Sequence, residues 1–142
     1  MMKNLFQILC GLFLVVSYSS CMHSEEDKVD VLIIGGGASG VTSGIQSARM
    51  GANTLILEES TWLGGMLTSA GVSAVDGNYR LPAGLWGEFK NRLSDYYGGL
   101  DSLKTGWVSN VLFEPSVGNK ILHEMVAAEN NLKVWKQACL EE

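Results

Sequence analysis

The chain has 142 residues, of which 46% are hydrophobic and 18% charged, and its formal net charge is −5. An acidic balance argues against a nucleic-acid binder, and a chain this apolar and weakly charged is not a disordered tail. Three Cys are too few for a disulfide scaffold, and the length suits one domain with a modest core.

Residues 1–20 carry one charge, Lys3, followed by an apolar run from Leu5 to Val16. That run is shorter than the roughly 20 residues a membrane span needs. A basic start, an apolar centre and small residues behind it describe a secretory signal peptide. The run ends in Tyr18-Ser19-Ser20-Cys21. This resembles the lipobox of bacterial lipoproteins, whose Cys is lipidated and becomes the new N-terminus. Tyr18 departs from the aliphatic residue preferred there. The resemblance implies lipidation of Cys21 and a membrane anchor on the periplasmic or cell-surface side. Simple cleavage near Ser20, giving a soluble periplasmic chain, is the alternative. Loss of Lys3 would take the net charge to −6. Residues 21–28 then form a polar tether, and their acidic run also resembles the surface-export signals of some Gram-negative lipoproteins. The signal has no Arg-Arg pair, so the expected route is general secretion of an unfolded chain. Any cofactor would be acquired after export.

Gly accounts for 17 of the 142 residues with no collagen-like period, so the glycines are positional. The stretch from Val29 to Ile34 is short, β-branched and stopped by glycines, which predicts a buried parallel strand. Gly35-Gly36-Gly37-Ala38-Ser39-Gly40 fits G-x-G-x-x-G. A helix is predicted from about Ala38 to Met50, with the small residues Gly40, Ser43, Gly44, Ser47 and Ala48 on its sheet-facing side. Gly51 ends it. Thr54 to Leu57 is the second strand, and Glu58 stands at its C-terminal end.

Each part of this unit has a physical task. Gly35 permits the turn out of the strand, Gly37 lets a pyrophosphate approach the backbone, and Gly40 permits close packing. The helix N-terminus, at Ala38 and Ser39, offers unpaired N–H groups and a partial positive charge. Glu58 lies 18 residues beyond Gly40, about one helix plus one strand, and its oxygens suit ribose hydroxyls. Glu59, turned away by alternation, is expected in solvent.

A nicotinamide-binding unit would usually continue at once with a helix and a strand. Here Ser60-Thr61-Trp62-Leu63-Gly64-Gly65-Met66-Leu67-Thr68 follows, and the next convincing parallel strand is Leu132 to Trp135. The predicted fold is therefore α/β, a Rossmann-like FAD/NAD(P)-binding domain with a parallel sheet and a long helical insertion after the second strand. Asp30 to Gly40, Gly51 and Glu58 resemble the amino end of glutathione-reductase-like FAD flavoproteins. Leu63 to Thr68, Gly71 and Leu81-Pro82-Ala83-Gly84-Leu85-Trp86 resemble the FAD-dependent oxidoreductase family, some of whose members are named xanthan lyases. The resemblance covers roughly residues 29–142. It implies FAD as cofactor and places Gly64, Gly65 and Met66 beside it. Family members are several times longer, so the resemblance implies that residues 29–142 are the amino-terminal part of an FAD-binding domain. Its substrate region would lie elsewhere.

Within the insertion, Leu85, Trp86, Phe89, Leu93, Tyr96 and Tyr97 recur at helical spacing, predicting a helix from about Ala83 to Tyr97 that Gly98-Gly99 ends. Glu88, Lys90, Asn91, Arg92 and Asp95 are assigned to its polar side. Trp107 to Phe113 is a candidate strand. Pro115 opens a helix whose buried positions are Val117, Ile121, Leu122, Met125 and Val126. His123 on that helix is read as a surface residue and not as catalytic. Cys139 is a free thiol. The function this predicts is flavin-mediated electron or hydride transfer on an unknown small-molecule or carbohydrate substrate. A flavin-using polysaccharide lyase or isomerase, and an inactive fragment that binds nucleotide at best, are the alternatives.

Overall fold

The computed structural model describes residues 28–140; the expected signal sequence, Cys21 and all of the expected tether but Lys28 lie outside the described residues. Strand β1 is Val31–Ile34, helix α1 is Ala38–Arg49 and strand β2 is Thr54–Glu58. A 3-10 turn at Gly65–Leu67 leads to β3, Ala74–Val75, and α2, Gly84–Tyr97. A second 3-10 turn, Leu100–Leu103, precedes β4, Val111–Leu112; then come α3, Pro115–Ala127, and β5, Leu132–Lys136. The fold is α/β, with a parallel sheet in the order β1-β2-β5 and the insertion between β2 and β5.

Parallel neighbours need crossover connections, and α1 makes the first of them. It follows Gly37, ends with Arg49 in its last turn, and passes into Gly51 at φ +94°. Gly40, Gly44 and Ala48, four residues apart, are its buried small residues. Ser43 is exposed and Ser47 only half-buried, so the five-residue small face is in fact a three-residue row. The physical reason is angular: positions four apart stay nearly in line along a helix, whereas a step of three swings away. A Cβ on Gly44 would lie 2.7 Å from Ile56 Cδ1 and 3.3 Å from Leu132 Cδ1. The missing side chain therefore sets how near α1 lies to the central strand.

Register pairs Leu32 with Leu55, Ile34 with Leu57, and Leu57 with Trp135. By alternation these residues share the face opposite Ile33 and Ile56. Leu32 and Ile34 are 48% and 56% exposed, and Trp135 is 48% exposed. The fully buried first strand expected from its composition is thus half-buried, and it starts at Val31 rather than Val29. Only the central β2 keeps Thr54 to Leu57 all buried.

The insertion shares the same core rather than forming its own. Leu63, Phe89, Leu93, Leu103, Val111 and Phe113 belong to one apolar cluster with Val41, Ile45 and Ile56. The Phe89 and Phe113 rings meet edge to face at 5.5 Å. Helix α2 ends on Gly98 in a left-handed conformation, as its glycine pair implied. Pro115 stands in the first turn of α3, and Val117, Ile121, Leu122, Met125 and Val126 are all buried. Trp107 is fully exposed, so the candidate strand from Trp107 shrinks to Val111–Leu112, which pairs antiparallel with β3. Lys90, assigned to the polar side of α2, is buried. Tyr96, assigned to the apolar stripe, is exposed. Among the described residues no helix is long and apolar enough to cross a membrane.

The contact between Gly44 and Ile56 is testable by a double-mutant cycle. Gly44→Ala should destabilise the chain by about 1–3 kcal/mol through overpacking, despite the better helix propensity of Ala. Ile56→Val removes the Cδ1 atom that the new methyl would strike. The double variant should therefore lose less stability in urea unfolding than the two single losses combined.

Candidate functional site

The carboxyl end of β1 turns through Gly35, whose φ of +94° suits glycine, and enters α1 at Gly37. Here the chain places glycines for three different reasons. A Cβ on Gly40 would lie 1.9 Å from the Gly35 carbonyl oxygen, so the first turn of α1 and the end of β1 touch backbone to backbone. A Cβ on Gly36 would lie 2.7 Å from Leu63 Cδ2 and 3.0 Å from Glu58 Oε2. Gly37 differs from both. Its φ of −63° and ψ of −179° are open to any residue, and nothing lies within 4 Å of where its Cβ would be. No packing or backbone demand of the fold accounts for glycine at position 37.

Glu58 reaches across from the end of β2. Its Oε2 accepts the Gly36 N–H at 2.6 Å and its Oε1 accepts the Ser60 N–H at 2.8 Å. Burial alone would raise the pKa of this carboxyl group. Contacts with the Ser60 hydroxyl and the backbone N–H groups of Ser60 and Gly36 outweigh that effect and hold it below the ordinary carboxylate range. The Ser60 hydroxyl also lies 2.9 Å from the Trp62 carbonyl oxygen. A carboxylate offers about four lone-pair sites, so each oxygen keeps acceptor capacity beyond its backbone bond. Glu59 beside it is exposed, as alternation required.

The second glycine pair is brought against the first. The Gly64 N–H donates to the Gly36 carbonyl at 2.8 Å, and Gly37 and Gly64 form an isolated parallel bridge. A Cβ on Gly65 would lie 3.1 Å from the Gly37 Cα. Gly64 serves packing as well, since its missing Cβ leaves room for Leu122 Cδ1 and Thr68. The turn is fastened by two groups to which the sequence assigns no role: Asn119 Oδ1 accepts the Leu63 N–H at 2.9 Å, and the buried Thr68 hydroxyl donates to the Leu63 carbonyl. Nothing in residue spacing signals Asn119, which lies on α3 some 56 positions away. Met66, next to the pair, is 68% exposed.

Gly35, Gly37, Ala38, Ser39, Gly40, Glu58, Gly64 and Gly65 thus converge at the carboxyl ends of β1 and β2, and Met66 flanks them. Cys21 lies outside the described residues. His123 is part-buried, and burial together with the positive charge of Lys136 pushes its pKa down. Helix α1 begins without a side-chain cap and without an acidic residue in its first turn. An uncapped N-terminus beside an open glycine fits a phosphate oxygen, and two partly used carboxylate oxygens fit hydroxyl donors. The residues present therefore fit a nucleotide with a pyrophosphate and a ribose.

Comparison with known proteins agrees with this geometry at the level of family. A family model described as FAD dependent oxidoreductase matches residues 30–142. Searched against curated proteins, the chain finds no match. Among solved structures it is similar to THI4 of Thermovibrio ammonificans, at 18% identity, a TM-score of 0.45, and coverage of 92% of this chain and 45% of that one. GidA of Aquifex aeolicus matches at 22% identity and a TM-score of 0.49, covering 78% of this chain and 20% of that one. The p-nitrophenol 4-monooxygenase PnpA of Pseudomonas putida matches at 15% identity and a TM-score of 0.48, covering 79% and 32%. The chain spans less than half the length of each of these proteins.

The role of Glu58 in holding the turn predicts a pH dependence. Because its pKa is lowered on folding, its contribution to stability is present above the unfolded value, about 4.3. It is lost as pH falls through the lower folded value. Protection of the Gly36 amide from exchange, taken relative to the intrinsic rate at each pH, should be high at neutral pH and fall in that acid window. Glu58→Gln should remove the dependence and loosen the turn at every pH. The carboxamide NH2 group would face one of the two N–H donors wherever it is placed.

Proposed function

The chain belongs to the FAD dependent oxidoreductase family, and we propose that Gly35, Gly37, Ala38, Ser39, Gly40, Glu58, Gly64, Gly65 and Met66 hold its FAD in a reaction of the electron- or hydride-transfer class. FAD is the cofactor of this family. When bound, its isoalloxazine ring supplies the redox chemistry, and the protein supplies binding and orientation. The first-turn N–H groups of α1, at Ala38 and Ser39, bind pyrophosphate oxygens, with the helix dipole adding to the attraction. The remaining lone pairs of Glu58 accept hydrogen bonds from the ribose hydroxyls. Gly64 and Gly65 keep backbone close to Gly37 and leave no side chain over the loop. Met66 offers an exposed, polarisable thioether at the rim.

The observation that carries this reading is Gly37, a glycine in the motif for which the fold itself has no need. Its side-chain space is open in the protein and is where a pyrophosphate would lie. Gly37→Val should therefore leave thermal unfolding near that of the parent and abolish FAD retention. Gly40→Ala, by contrast, meets the Gly35 carbonyl and should lose fold and flavin together. Flavin released by denaturing the purified protein, loaded with FAD after export, is identified by chromatography. FMN in place of FAD, or full loading of Gly37→Val, would sink the assignment.

We propose further that the chain is exported and held at a bacterial membrane through lipid on Cys21. The sequence Tyr18-Ser19-Ser20-Cys21 behind a short apolar run supports this. A run too short to span needs covalent lipid for firm attachment, and several acyl chains hold where one does so only marginally. The wild-type chain should partition with membranes and take up labelled fatty acid. Cys21→Ser should end the labelling and either block processing or release soluble protein. Labelling that persists in Cys21→Ser would refute the anchor and leave the flavin reading intact.

A further inference from the structure

A cavity of about 370 Å³ opens in the insertion, away from the glycine turns, between the loop that joins β3 to α2, α2 itself, the second 3-10 turn and the start of β4. Its walls divide by chemistry. Arg80, Lys90 and Lys104 line one part, and Leu100, Leu103 and Val111 line another. Lys104 is neutralised by Asp101 at 2.8 Å. Arg80 and Lys90 have no carboxylate partner among the described residues.

Lys90 is the informative member. It is only 8% exposed, and a buried ammonium without a counter-ion is costly. Its Nζ donates to the carbonyls of Tyr79 at 2.8 Å and Leu81 at 2.9 Å. An ammonium has three N–H groups, and beyond these two carbonyls it meets only the face of the Trp86 ring, 5.9 Å from its centroid, so no oxygen accepts the third among the described residues. The two carbonyls fix where Nζ points from. Arg80 spends its Nε on the Tyr79 hydroxyl at 3.0 Å, which leaves the terminal NH2 groups of its planar guanidinium. Two positive groups, one of them buried and oriented, therefore border a cavity that contains no compensating charge of its own.

We infer that this cavity binds a small organic carboxylate, with its anionic head between Arg80 and Lys90 and its apolar body against Leu100, Leu103 and Val111. A planar carboxylate matches the guanidinium edge. An inorganic oxyanion would satisfy the cations but leave Leu100, 49% exposed over the buried Leu103 and Val111, facing water. The volume is at the small end of ligand pockets and suits a body of about one ring. The inference is independent of the flavin site, since none of these residues belongs to the glycine turns.

The test uses the whole chain and three probes at low salt: benzoate, its neutral isostere benzamide, and inorganic phosphate. Binding is read from backbone amide shifts in NMR. Benzoate should bind saturably, shift the amides of Arg80, Leu103 and Val111, and bind roughly tenfold or more tightly than benzamide. Arg80→Met should weaken benzoate binding by a similar factor while circular dichroism stays unchanged. Lys90→Met should do the same, and if it unfolds, Arg80→Met alone decides. Equal binding of benzamide and benzoate would overturn the inference. So would phosphate binding as tightly as benzoate, unchanged affinity in Arg80→Met, or shifts confined to residues 35–40. Because no flavin is involved, failure here says nothing against FAD binding, and failure of FAD binding says nothing against this cavity.

Discussion

The hydrogen bond from the Gly36 amide to Glu58 Oε2, 2.6 Å long, is the contact on which the site depends. It joins the ends of the two strands that carry the motif, and a third turn is laid on top of it. Gly64 donates to the Gly36 carbonyl, so the same peptide neighbourhood is gripped from two sides. Leu63, fully buried, fills the space above Gly36. Because the carboxylate accepts N–H bonds from Gly36 and from Ser60, its charge is compensated in place. The loop is therefore organised before any ligand arrives, which lowers the ordering cost that binding must otherwise meet.

Glycines around this contact separate into those the fold needs and one it does not. Gly36, Gly40 and Gly64 each lie under 3.0 Å, at a notional Cβ, from another part of the chain. Gly44 and Gly118 have the same relation to Ile56 and Phe113. Such positions reflect backbones drawn together by the shared core, and they would be glycine whatever the protein bound. Gly37 has an ordinary backbone conformation and open space at its side-chain position. A motif match alone does not make that distinction. It takes the neighbours of each missing Cβ to show which glycine the packing of the chain does not require.

Much of this was legible in the sequence, and the division follows interaction range. β1, α1 and β2 are contiguous, and their turn chemistry is local, so strand, glycine turn, helix and terminal acid were readable within two residues of their bounds. Helix α3 was readable because Pro115 and an apolar period of one sequence segment decide it. β1 was read as fully buried because composition reports apolarity but not which face a neighbour covers. Trp107 was placed in a strand on propensity, yet β4 needs a partner, and β3 supplies only two residues. The roles of Gly36, Asn119 and Thr68 depend on where α3 and the second glycine turn come to rest, which spacing along the chain does not encode. Lys90 was misplaced for a related reason. Its partners are the carbonyls of Tyr79 and Leu81, and a carbonyl is present at every residue.

The Glu58 contact also sorts the two ends of a nucleotide. One amide of the loop, at Gly36, is turned to the carboxylate and so is withdrawn from phosphate binding. The lowered pKa of Glu58 keeps a negative charge there at neutral pH, which repels phosphate oxygens. For an anion there remains the start of α1, an end with no acidic side chain in its first turn and no side-chain cap. Hydroxyl groups, in contrast, are welcome at Glu58, where acceptor lone pairs remain. Negative charge is therefore favoured at Ala38 and Ser39 and disfavoured at the tip of β2, only a turn away. A pyrophosphate with a hydroxyl-bearing sugar beside it meets both demands at once. The same carboxylate that holds the turn together thus suits hydroxyl donors, and not phosphate oxygens, at the tip of β2.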